Sequence, residues 1–357
     1  MLENKHIRGL MLHSCLAVSE QGLPLALIEQ KVWARDPKKA GSRSRRRKRP
    51  TAEKESQRWI QMMQSVQKKV PAATRVLMVS DREADIYDLF AAPRREGSDL
   101  LVRAAHNRVV KEEQEYLWPT VRSFGIAGQI SVSVPRADGR AERTAELSLS
   151  HGRVTLVPPR NRSKKEHLAE VVLSAVLVEE RNPPEGVEGI CWLLLTTLPV
   201  GNLSEAVQCV RWYSLRWLIE RYHFVLKSGC QIEQLELEKA KRLERALALY
   251  AIVAWRILWL TYTARIQPDE PCTKALEPEE LQALLVVTKE ATGSLSSVPT
   301  MREAVGLVAK LGGFLGRKGD GEPGVKTIWR GLRRLADMTV MYRAMIHRRV
   351  GKDVGNA

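Results

Sequence analysis

Cysteine is scarce and scattered in this chain. Its 357 residues include five, Cys15, Cys191, Cys209, Cys230 and Cys272, an odd number with no CxxC pair among them. That spacing excludes a disulfide framework and a zinc site built on paired cysteines, and it fits a reducing, cytoplasmic compartment. Long apolar runs are missing too. The most apolar stretch, "ALALYAIVAWRILWL" from Ala246 to Leu260, is interrupted by Arg256, and its unbroken part is too short to span a bilayer. It reads as a buried core helix. No secretion signal opens the chain, no lipidation signal is visible and no internal repeat is found. A membrane is therefore not the expected partner.

Acidic charge is the other shortage. Against 41 Asp and Glu stand 57 Lys and Arg, giving a net charge of +16, with a pI near 9.8. The excess is dispersed along the chain and is not confined to one tail, which points to a polyanion and above all to nucleic acid. Hydrophobic residues make up 44%, enough for a substantial core and two or three domains or subdomains.

Residues 7–35 read as two strands joined at "SEQGL", where Gly22 suits a hairpin turn. "KKAGSRSRRRKRP", Lys38 to Pro50, reads as a solvated basic loop. A helix with a start signal at Thr51 follows. "TRVLMVSD" is a short apolar strand ending in Asp81, "ADIYDLFAA" a helix, and "SDLLVRAAH" another strand ending near Arg103 and His106. From about 111 to 200, "GQISVSVP", "AELSLS", "RVTLVPP", "AEVVLSAVLVEE" and "ICWLLLTTLP" read as separate strands of a β-rich insert. The chain beyond Asn202 is mostly helical.

The segment "YSLRWLIERYHFVLKSG", Tyr213 to Gly229, carries the densest chemistry. On one continuous helix at about 100° per residue, Tyr213, Arg216, Glu220, His223 and Lys227 fall within an arc of roughly 80°. Leu215, Leu218, Tyr222, Val225 and Leu226 take the opposite side, with Ile219 beside them. A carboxylate ligates hard divalent cations, while arginine and lysine hold phosphate oxygens. Together they suit phosphodiester cleavage by metal-activated water. The same spacing equally describes a surface helix with Arg216 and Glu220 in an (i, i+4) ion pair. A second carboxylate is offered by Asp81, at the end of an apolar strand, where α/β sheets place ligands. It also suits a helix N-cap, a role compatible with ligation. Glu83 lies nearby, and Asp85 reads as an acid at the surface or behind a ligand.

Tyr213, Arg216, Glu220 and Lys227, separated by two, three and six residues, resemble the Tyr-Arg-Glu-Lys signature of a known family. These are the DDE-type cut-and-paste transposases of the insertion sequence four family. "SDREADIYD" resembles the family's second-aspartate motif, "LVRAAHNR" the strand after it, and "CWLLLTTLPV" the strand before the signature helix. The resemblance runs over essentially the whole chain. It implies an α/β fold, with a ribonuclease H-like catalytic core, an inserted antiparallel β subdomain and a C-terminal helical region. The implied boundaries are 1–110 and 201–265 for the core, 111–200 for the insert and 266–357 for a helical, dimerising region.

By the same resemblance, Asp81 and Glu220 are metal ligands for Mg²⁺, with Mn²⁺ also suited to oxygen donors. Tyr213, Arg216 and Lys227 hold DNA phosphates, with Arg103, His106 and His223 as further DNA contacts. Trp192 stacks on a flipped base, a task any aromatic face can serve; on composition alone, as one of nine tryptophans, it reads first as an ordinary core residue. The implied partners are transposon-end and target DNA and a second copy in a synaptic complex. The implied location is the cytoplasm, and the bacterial nucleoid when DNA-bound. The family's third ligand is an aspartate on a strand upstream of the first hairpin. Here the only acid before that hairpin is Glu3, without strand context. The chain is therefore expected to be N-terminally truncated and impaired in cleavage. The alternative is a catalytically inactive remnant that binds DNA or dimerises.

Overall fold

The structure is a computed structural model that describes residues 9–34, 54–134, 142–159, 168–288 and 298–353. Glu3, the basic run Lys38 to Pro50 and the helix-start signal at Thr51 lie outside the described residues. The chain divides into two compact units: residues up to 12 with 33–216, and residues 13–32 with 217–357.

The first unit is built on a six-stranded sheet. Its strands are β3 (Val76–Ser80), β4 (Ser98–Arg103), β5 (Gly128–Val134), β6 (Arg143–Leu156), β7 (Val171–Glu180) and β8 (Cys191–Thr196), in the order β3-β4-β8-β7-β6-β5. β3 and β4 are parallel and every other pair is antiparallel. The strands expected as an insert within 111–200 thus run on in the same sheet as β3 and β4. "AELSLS" and "RVTLVPP" are one strand, β6, not two. Gly152 at their junction serves close packing and not a turn: a Cβ there would sit 2.6 Å from the Phe124 ring.

β4, β7 and β8 are near-continuous apolar runs, the pattern of strands buried on both faces. Leu100, Val102, Ala175, Leu177, Leu193 and Leu195 face one apolar layer. Helices α1 (Gln57–Lys69), α2 (Tyr87–Ala91) and α3 (Leu117–Ser123) contribute Ile60, Met63, Leu89, Phe90, Leu117 and Val121 to that layer. Leu101, Val176, Val178 and Leu194 face the other layer, where α4 (Leu203–Leu215) brings Ala206, Cys209, Val210 and Tyr213. The Asn202 side chain caps α4 by accepting from the Glu205 N–H at 3.0 Å.

The second unit holds residues 13–32 of the hairpin formed by β1 (Leu10–Val18) and β2 (Pro24–Ala34), and a set of helices. Gly22 has φ 90°, the left-handed conformation the turn demands, and its N–H donates to the Ser19 carbonyl at 2.9 Å. The helices are α5 (Trp217–Phe224), α6 (Ala240–Ile266), α7 (Pro278–Thr288), α8 (Met301–Leu311) and α9 (Val325–Asp353). By length and composition α6 is apolar enough to cross a membrane, yet Leu247, Ala251, Ala254, Ile257, Leu258 and Leu260 are buried within the protein, as a core helix requires. A capping box of Thr300 and Glu303 starts α8. On α9, Val340, Met341, Met345 and Ile346 form an exposed apolar stretch.

α8 and α9 meet backbone to backbone. A Cβ on Gly331 would lie 1.9 Å from the Val308 carbonyl oxygen, and one on Gly312 1.9 Å from that of Thr327. Gly306, on α8, has open space instead. Gly331→Ala should therefore destabilise the chain by about 1–3 kcal/mol through overpacking. Gly306→Ala should be neutral or stabilising by about 0.5–1 kcal/mol through helix propensity. Urea unfolding of both variants measures the contrast.

Candidate active site

β3 ends at Ser80, and Asp81 follows as the N-cap of a single 3₁₀ turn, Arg82–Ala84. Asp81 Oδ1 accepts from the Arg82 N–H at 2.8 Å and from the Tyr213 hydroxyl at 3.2 Å. Its Oδ2 lies 3.7 Å from Arg216 Nη1, and the side chain is 42% exposed, so one oxygen remains open to a ligand. Capping and an open carboxylate thus coexist, as the strand-end position suggested.

Tyr213 reaches Asp81 from α4. Its ring is buried in the apolar layer under the sheet, and only its hydroxyl meets the acid. Burial pushes the hydroxyl's pKa up and the Asp81 charge adds to it, while Arg216 and Arg103 offset part of the rise. The phenol stays protonated and donates. Trp192, on β8, meets the Tyr213 ring edge-on with centroids 5.1 Å apart, and it packs half-buried against the same layer. The Arg216 guanidinium lies 5.7 Å from the Tyr213 ring centre. Arg103, the last residue of β4, donates to the Cys191 carbonyl at 3.0 Å. His106 is exposed in the loop after β4. The first unit therefore gathers Asp81, Tyr213, Arg216, Trp192 and Arg103 at one end of the sheet, with His106 on the adjoining loop.

The signature segment is not one continuous helix. α4 closes at Leu215, with Arg216 as its C-cap. α5 covers Trp217–Phe224, and a π-turn spans Val225–Gly229. Arg216 keeps a helical backbone, φ −51° and ψ −31°, but the 100° step does not hold through the wider π-turn, so the place of Lys227 in the expected 80° arc is corrected. The apolar back does persist: Leu218, Tyr222, Val225 and Leu226 are buried.

Glu220, His223 and Lys227 belong to the second unit. Glu220 is partly buried on α5. Lys227, in the π-turn, pairs with Glu233 at 2.9 Å, both half-exposed. His223 turns toward the hairpin, its Nε2 3.2 Å from the Ser14 hydroxyl. Gln30 donates to the same Ser14 hydroxyl at 3.3 Å and to the Tyr222 hydroxyl at 3.1 Å. Burial pushes the His223 pKa down, and the Lys227 charge adds to that.

Of the two places read for Asp85, the surface is corrected: it is 3% exposed and paired with Arg108, a pairing the sequence reading did not find. Its one signal was an acid set between Ala84 and Ile86 before a buried helix. Trp217 and Phe224 are large aromatics left exposed on α5 beside the signature residues, with Arg221 over the Phe224 ring at 5.3 Å. Glu83 is exposed and paired with Arg58, which lies over the rings of Trp33 and Trp59.

Residues 30–256 match the family model described as Transposase DDE domain, which covers more than half of the chain. The chain belongs to the DDE transposase family. Residues 252–349 match a second model, described as Transposase Tn5 dimerisation domain. This transposase accordingly has its role in DNA transposition and recombination of a mobile element, with DNA binding and dimer formation implied by the two matches. Members of the family generally use divalent metal ions. Asp81 suits such an ion: it is a hard oxygen donor at a strand end with one oxygen open. Glu220 offers the same donor type. Among the described residues, no three His, Cys, Asp or Glu side chains lie grouped as a metal site.

The depressed imidazole of His223 has a consequence for stability. Below its ordinary pKa of 6.5 the unfolded chain takes up a proton that the folded chain refuses. Stability from this residue is complete above that pH and declines as pH falls through it. Urea midpoints at neutral and mildly acid pH should separate by less in His223→Gln than in the parent chain.

Proposed function

We propose that this transposase acts on the ends of a mobile element by metal-dependent cleavage and strand transfer, within the insertion sequence four group. The observation that carries the reading is the contact of Asp81 with Tyr213 and Arg216, which joins a strand-end carboxylate to half of the four-residue signature. Asp81 and Glu220 would hold Mg²⁺ or Mn²⁺. Such an ion, when bound, polarises a phosphoryl oxygen and lowers the pKa of water. Arg216 and Lys227 hold phosphate oxygens, one as a fork and one as a point charge. Tyr213 donates from a hydroxyl kept protonated, and Arg103 and His106 extend the contact surface beyond β4. Trp192 offers its ring to an extruded base, backed by the Tyr213 edge. His223, drawn toward the hairpin by its contact with Ser14, supports the fold of α5. A second copy pairs through the exposed apolar stretch of α9, within the matched dimerisation region.

A second reading has its own support. Asp81 already has Arg216 as a counter-charge and Tyr213 as a donor. A carboxylate with these partners in place suits a chain that binds DNA and dimerises without cutting it.

End-bearing duplex DNA and Mg²⁺ separate the two. Under the first reading the chain nicks the end, and Asp81→Ala or Glu220→Ala abolishes nicking while DNA binding persists. Binding without nicking in the parent chain selects the second. Under either reading, Lys227→Ala and Arg216→Ala should each flatten the plot of log affinity against log salt by about one unit of slope. Trp192→Ala should spare nicking but depress any later step that needs the flipped base. Unchanged salt slopes in both cation variants would remove Lys227 and Arg216 from the DNA surface.

A further inference from the structure

Asp85 spends its entire carboxylate on one loop. Oδ2 accepts the backbone N–H groups of Ala105 at 2.7 Å and His106 at 2.9 Å. Oδ1 accepts Arg108 Nε at 2.9 Å and Nη2 at 2.7 Å, and the Asp85 carbonyl accepts from the same Nη2 at 2.5 Å. The carboxylate is fully buried and Arg108 nearly so, with side-chain exposures of 0% and 13%. With every acceptor engaged and none open, Asp85 is no ligand itself. A surface ion pair contributes little, but this one is buried, two-pronged and reinforced by two backbone donors.

The position of this lock matters more than its strength. Asp81 and Asp85 bracket one 3₁₀ turn, in which the Ala84 N–H donates to the Asp81 carbonyl at 2.9 Å and the Asp85 N–H to that of Arg82 at 3.1 Å. β3 and β4 run parallel, with Ser80 opposite Val102, so both strands end at one level. The loop that Asp85 grips begins immediately beyond Arg103. Arg103 acts on the Tyr213 hydroxyl, and that hydroxyl donates to Asp81. The contacts close a ring: Asp81, its turn, Asp85, the loop, Arg103, Tyr213 and Asp81 again. The lock adds a direct polar tie between the Asp81 turn and the loop after β4, beside the strand pairing that ends at Ser80 and the apolar packing of Ala84.

We propose that Asp85, with Arg108, is a positioning residue that fixes the Asp81 carboxylate for metal binding and sets the His106 loop beside it. The proposal rests on the reading of Asp81 as a metal ligand. Partners that orient a ligand from behind typically carry about tenfold or more in metal affinity.

The test is Mn²⁺ binding to the full chain on end-bearing duplex DNA, read from the free-ion electron paramagnetic resonance signal. The variants are Asp81→Ala, Asp85→Asn, Arg108→Lys and Val154→Ala. Val154 is buried on β6, separated from β4 by β7 and β8, and serves as a core-destabilised control. Asp81→Ala should lose the most affinity, Asp85→Asn about tenfold and Arg108→Lys a smaller amount, with Val154→Ala unchanged. Should Asp85→Asn fail to fold, Arg108→Lys carries the test, since it keeps the counter-charge and loses the fork. Loss in Asp81→Ala with Asp85→Asn and Arg108→Lys matching Val154→Ala would overturn the positioning role and leave the Asp81 reading intact. No loss in Asp81→Ala itself would overturn both.

Discussion

Burial on both faces of the central strands is the constraint from which the first unit follows. β4, β7 and β8 have no polar face to give to solvent, so each side of the sheet needs a helical cover. One cover is made by α1, α2 and α3. The other is α4, and its last turn brings Tyr213 under the strand ends with the hydroxyl aimed at Asp81. The candidate catalytic acid and its donor are thus placed by the same apolar packing that makes the sheet.

Electrostatics refine what packing begins. Asp81 stands among Arg216, Arg103 and the Tyr213 hydroxyl, a basic surrounding that matches the charge of the whole chain. A phosphate backbone brought to this end of the sheet, as proposed, would meet cations already oriented by an aromatic ring and a backbone carbonyl. Arg216 lies against Tyr213 and Arg103 is held by Cys191, so neither guanidinium must be ordered afresh.

Much of this was legible in the sequence because the signals were local. Apolar runs gave β3, β4, β7 and β8, Gly22 gave the hairpin, and four residue types at fixed spacing gave the family. What escaped depended on distance or on small departures from ideal geometry. The burial of Asp85 is explained by Arg108 and the backbone N–H groups of Ala105 and His106, about twenty residues on and beyond any local pattern. The two segments that flank Gly152 read as separate strands because the ring that fills its missing side chain, Phe124, comes from a different element. The π-turn at Val225–Gly229 changes the helical step without any proline to announce it. The chain passes between the two compact units at 12/13, 32/33 and 216/217.

The contact of α8 with α9 has an evolutionary side. At Gly331 and Gly312 the obstacle to any side chain is a carbonyl oxygen of the facing helix. Every residue carries that oxygen, so no change of the neighbour's identity can make room. Most packing positions drift in compensating pairs, one residue growing as its partner shrinks. These two have no partner to bargain with. Among descendants of this chain they should stay glycine, or change only where the two helices have moved apart.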